Sequence, residues 1–134
     1  MTKILNNDQK TFFKKNGFLF PIKILSEERV LSYRKNLEEY EKSKGNTISG
    51  NDRHKAHLLF KWVNEIVNNK NILDAIEDIL GPNILCWSSN FFIKEANDNT
   101  FVSWHQDSGY WGLKPDDVVT AWLALSDANI ETGP

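Results

Sequence analysis

The pair Gly81-Pro82 divides this 134-residue chain into two stretches built on different periodicities. Proline has no backbone N–H to continue a helix, and glycine readily adopts the left-handed conformation that ends one. Before the pair, apolar residues recur every three or four positions. After it they do not, and four of the five tryptophans lie there, among β-branched residues. Large aromatic and branched side chains suit a pleated, half-buried surface. The order is therefore helices first and strands after, which predicts an α+β protein, with residues 1–81 mainly helical and 82–134 mainly strands.

Within the first stretch the punctuation is legible. A short helix is expected over about 8–16, with Asn7 as its N-cap and Gly17 as its stop. Phe18-Leu19-Phe20 reads as a short strand broken by Pro21. Ser26 caps a longer helix whose first turn carries Glu27 and Glu28, where negative charge suits the helix dipole. Val30, Tyr33, Leu37 and Tyr40 recur on one face of it, and Gly45 marks its exit. That face is read as core. An exposed apolar stripe there would instead mark an interaction module. Residues 44–53 are polar and form a loop. Leu59, Trp62, Val63, Ile66 and Val67 mark another helix, and Asn71 caps a last one that turns Leu73, Ile76 and Leu80 inward.

Strands are expected over 84–94, 101–107 and 118–125, separated by polar or glycine-bearing turns. Three strands are too few for a closed jelly roll of about eight. The sequence also stops at Glu131-Thr132-Gly133-Pro134, a turn-like segment, so the chain is expected to be one domain, 1–134, forming the front part of a longer one.

Composition narrows the function classes. A formal net charge of -2 lacks the basic excess of a nucleic-acid binder. No stretch approaches the roughly 18 apolar residues of a membrane span, and the polar start is unlike a signal peptide. Cys86 is the one cysteine, so no internal disulfide forms. It is expected to serve as a small core hydrophobe. A cytoplasmic protein with a small-molecule substrate, without nucleic-acid or membrane partners, is the resulting expectation.

The chemistry concentrates in Trp104-His105-Gln106-Asp107. In a strand, residues two apart face the same way, so His105 and Asp107 would present an imidazole nitrogen and a carboxylate together. Those are two of the three donors in the 2-His-1-carboxylate triad of non-haem Fe(II) oxygenases. From these residues alone two readings stand, half of a metal site or a structural ion pair.

The surrounding residues resemble the phytanoyl-CoA dioxygenase family, whose iron motif is commonly Trp-His-Gln-Asp. Here that motif is followed by Tyr110-Trp111, Pro115, Val119-Thr120-Ala121-Trp122-Leu123-Ala124-Leu125 and Glu131-Thr132-Gly133. Asn16-Gly17-Phe18-Leu19 and the Ser-Glu-Glu helix start agree more loosely. The resemblance implies N-terminal helices packed on a double-stranded β-helix, jelly-roll or cupin-like, of which this chain supplies the first strands. It implies Fe(II) as cofactor and 2-oxoglutarate as co-substrate, with His105 and Asp107 as metal ligands and catalytic residues. Gln106 and Trp122 match positions that line the 2-oxoglutarate pocket. Lys94 falls on a basic position common before the motif, though a surface lysine at a strand end fits equally. Phe92 and Ser88, two and six residues earlier, would share its face.

A carboxylate at position 107 favours hydroxylation over halogenation, since related halogenases keep a small residue there. The second histidine of the triad and the arginine that pairs with 2-oxoglutarate are expected beyond Pro134. His54 and His57 fit no known triad order. Residues 108–117 form either a lid over the site or a surface turn capping the sheet. The leading expectation is a dioxygenase hydroxylating a small organic or acyl substrate, incomplete in this chain. The alternative is a truncated or degenerate relative that binds a metal, small molecule or protein partner without turnover.

Overall fold

The computed structural model describes residues 2–132. Helix α1 spans Asn7–Asn16, α2 Glu27–Lys44, α3 Lys61–Val67, α4 Lys70–Leu80 and α5 Ser108–Trp111, with two 3₁₀ turns at Gly50–Arg53 and Ala56–Leu58.

The four longer helices follow their sequence signals, with the N-caps of α1 and α4 displaced by one and two residues. Asn6, not Asn7, caps α1, and it does so reciprocally. Its side chain accepts from the Gln9 N–H while the Gln9 side chain accepts from the Asn6 N–H, both at 2.9 Å. Asn69, not Asn71, caps α4 by accepting from the Asn71 and Ile72 N–H groups at 3.0 and 3.4 Å. Ser26 caps α2 as its position predicts, accepting from the Arg29 N–H. Gly17 and Gly45 end α1 and α2 at φ 80° and 74°, a region where a side chain is strained.

Tyr33 and Leu37, one turn apart on α2, are buried, so its apolar stripe is core. Tyr33 stacks on Trp62 of α3, with ring centroids 6.0 Å apart. Trp62, Phe60 and Phe91 pack mutually at 5.5–6.1 Å, and Tyr40 meets Phe60 edge-on at 4.8 Å. The N-terminal segment is clasped to α4. Asp78 accepts from the N–H groups of Lys3, Ile4 and Leu5 at 2.7–3.0 Å, and Leu5 is 1% exposed. Burial opposes the Asp78 charge, yet these three donors hold its carboxyl below the ordinary carboxylate range. No helix among the described residues is long and apolar enough to cross a membrane.

The second stretch departs from expectation. Among the described residues there is no β-strand. The 84–94, 101–107 and 118–125 segments, and Phe18-Leu19-Phe20, enter neither helix nor strand. The expected α+β architecture on a double-stranded β-helix is therefore corrected to a helical one followed by irregular chain. The physical reason lies in what each element needs. A helix satisfies its N–H and C=O groups within itself, whereas a strand needs a partner at the right register, and β propensity without one decides nothing. The apolar payload stays outside: Leu85, Phe101 and Trp104 are 86%, 84% and 91% exposed. Cys86, expected in the core, is exposed for the same reason.

One strand-like contact joins the halves, an isolated antiparallel bridge between His54 and Asn90. Around it the Phe91 N–H donates to the Arg53 carbonyl at 3.0 Å, the Ala56 N–H donates to that of Ser89 at 3.1 Å, and the Arg53 guanidinium reaches the Phe91 carbonyl.

Candidate functional site

His105 and Asp107 do meet, but through a turn rather than strand alternation. Asp107 is right-handed helical (φ −59°, ψ −39°) and leads directly into α5, which Gly112 ends at φ 61°. The Gly109 N–H donates to the Gln106 carbonyl and the Tyr110 N–H to that of Asp107, at 3.2 and 3.0 Å. This winding brings His105 Nε2 to 3.1 Å from Asp107 Oδ1.

The other ends of both side chains are also engaged. His105 Nδ1 lies 2.7 Å from the Ser103 carbonyl oxygen. A carbonyl only accepts, so Nδ1 carries the proton and Nε2 turns toward the carboxylate. Nε2 and Oδ1 then face each other at 3.1 Å with a lone pair each, so the pair can share a cation. The remaining carboxylate oxygen, Asp107 Oδ2, accepts from the Thr120 hydroxyl. Tyr110 sets its ring edge-on to the imidazole, 6.2 Å between centroids.

The spacing suits a metal. Donors on adjacent octahedral sites lie about 3.0 Å apart when each bond is about 2.1 Å. A ligating histidine usually gives its other N–H to a carbonyl or carboxylate, as His105 does. The side chains are 39% and 30% exposed, so an ion has access to them. Among the described residues, however, no group of three or more His, Cys, Asp or Glu is assembled to hold a metal. His54 Nδ1 pairs with Asn90 Oδ1 at 3.2 Å and His57 Nδ1 with Ser89 Oγ at 2.7 Å, which commits both to the junction between the halves.

Five residues are expected to line a 2-oxoglutarate pocket. Gln106 sits exposed between the two candidate ligands, and Trp122 and Phe92 are exposed. Ser88 hydrogen-bonds Asn90 at 3.4 Å. Lys94 lines a shallow cavity of about 160 Å³ against α2, with Arg34, Leu37 and Glu41. Among the described residues, no hydrogen bond, ion pair or ring contact joins these five to His105 or Asp107. In the 108–117 loop, Tyr110 is exposed over His105, whereas Trp111 is half-buried against Trp87, 6.5 Å away.

Two participants had no role in the sequence reading. Ser103 contributes only a backbone carbonyl, which residue type does not reveal. Thr120 lies 13 positions beyond Asp107, and its visible signal is its place in the 119–125 run that follows the motif.

Comparison with known proteins adds one positive finding. The family model described as Phytanoyl-CoA dioxygenase (PhyH) matches residues 13–134. No curated protein and no solved structure matches the chain.

Proposed function

The chain belongs to the phytanoyl-CoA dioxygenase family, and on that premise we propose that it serves an Fe(II)- and 2-oxoglutarate-dependent dioxygenase that hydroxylates a small organic or acyl substrate. The observation that carries this reading is the placement of His105 Nε2 and Asp107 Oδ1, 3.1 Å apart, with Nδ1 tied to a carbonyl. His105 and Asp107 are the residues that would hold the iron. When bound, iron supplies oxygen activation coupled to oxidation of the keto acid.

The chain's own residues orient the pair. The Ser103 carbonyl keeps the His105 proton on Nδ1, which leaves the Nε2 lone pair available to ligate. Tyr110 sets its ring edge-on beside the imidazole, 6.2 Å between centroids. Gln106 and Trp122 are assigned to the 2-oxoglutarate wall, with Lys94, Ser88 and Phe92 as outer members. Two donors do not complete a facial triad, so a second histidine must join them, and an arginine must pair with the 2-oxoglutarate carboxylate. A carboxylate at Asp107 would take the place that related halogenases leave to halide, which favours hydroxylation.

The test uses the full-length protein with Fe(II) and 2-oxoglutarate, following succinate release. His105→Ala and Asp107→Ala should each lower it by more than about a hundredfold, beyond what loss of an outer-shell partner costs. Wild-type succinate release by either variant would sink the assignment.

A further inference from the structure

We infer that Thr120 is a positioning residue for the metal-binding carboxylate, selecting which oxygen of Asp107 is presented as ligand. The inference rests on the metal reading of His105 and Asp107. An ionised carboxylate offers about four lone-pair sites on two oxygens and can bind an ion through one oxygen or both. Here the two oxygens differ. Oδ1 faces His105 Nε2, and Oδ2 accepts a hydrogen bond from the Thr120 hydroxyl. A hydroxyl carries a single proton, so its donation to Oδ2 lowers that atom's capacity as a metal donor and leaves Oδ1 free. The carboxylate plane is thereby set, with Oδ1 beside the imidazole.

The imidazole is held in the same way from the opposite side. The Ser103 carbonyl accepts the Nδ1 proton at 2.7 Å and sets both tautomer and ring plane. Each candidate ligand thus has its non-ligating atom occupied by a group from outside the pair. Ser103 precedes the motif and Thr120 follows the 108–117 loop, so the pair is braced from both flanks of the turn. A group that orients a ligand is worth about tenfold to a hundredfold in metal affinity at characterised sites.

The experiment is Mn(II) binding to the metal-free full-length protein, followed by the loss of the free-ion electron paramagnetic resonance signal. Mn(II) stands in for Fe(II) because it resists oxidation and accepts the same donor types. Thr120→Val removes the hydroxyl and keeps the shape, and Thr120→Ser keeps the hydroxyl. The valine variant should bind Mn(II) about tenfold to a hundredfold more weakly, with serine close to wild type. Thermal melting of the same samples separates positioning from stability, and Thr120→Ala replaces the valine variant should the latter not fold. Unchanged affinity without the hydroxyl overturns the inference, as does equal weakening in the serine variant. If His105→Ala binds Mn(II) as tightly as wild type, the metal reading itself fails instead.

Discussion

Residues 2–81 and 82–132 bury their apolar side chains to very different degrees. The buried hydrophobic residues Leu5, Tyr33, Leu37, Ile48, Ala56, Val63 and Ala75 all belong to the first stretch. In the second, no described residue reaches that class, although most of the tryptophans are there. Apolar content therefore does not make a core. Helices α2, α3 and α4 each present a stripe that a neighbour covers, while the second stretch offers side chains with no second layer over them. What holds it to the first is the 53–57 and 89–91 contact together with Phe91, whose ring sits against Phe60 and Trp62.

The sharpest way to break that contrast is to truncate one residue on each side of it. Leu37→Ala should cost about 2–5 kcal/mol, the range for a buried leucine, measured by urea unfolding followed by circular dichroism. A cost below about 1 kcal/mol would show that α2 does not anchor the core.

The clasp of the N-terminal segment onto α4 is a smaller, local effect and depends on pH. Asp78 is held below its ordinary range, so the folded state favours the ionised carboxylate. The stabilisation is present above the unfolded value of about 3.9 and is lost as pH falls through the lowered folded value. Backbone amide exchange at Leu5 should therefore accelerate at acid pH beyond its intrinsic trend, and Asp78→Asn should remove that dependence. Exchange at Leu5 that follows the intrinsic trend alone would mean that the carboxylate does not hold the segment.

The least effect is expected at Trp104, despite its size. It is 91% exposed, and among the described residues its one ring partner is Phe18, with centroids 6.0 Å apart. Trp104→Ala should change stability by no more than about 0.5 kcal/mol in the same urea experiment. A loss comparable with that of Leu37→Ala would erase the distinction between the halves.

The helical half was largely legible because its signals are local. Ser26, Gly17 and Gly45 act within one turn of themselves, and the recurrence of Tyr33 and Leu37 needs only the helical repeat. The displaced caps at Asn6 and Asn69 show the grain of such reading. Runs of asparagine, Asn6-Asn7 and Asn68-Asn69-Lys70-Asn71, offer several capping side chains, and φ/ψ at the junction chooses among them. The candidate ligand pair was legible as well, by a different mechanism from the one spacing suggested. Positions two apart share a face in a strand, and here a tight turn into α5 produced the same meeting of Nε2 and Oδ1.

By itself, then, the sequence determined the four longer helices, the stops at Gly17 and Gly45, and the proximity of His105 and Asp107, because each depends on residues a few positions apart. Tertiary structure alone decided that 84–94, 101–107 and 118–125 form no strands, that Cys86 and Trp104 face solvent, and that Thr120 reaches Asp107. Those outcomes depend on whether a distant segment supplies a hydrogen-bond partner or a covering surface, which residue type and local spacing do not encode.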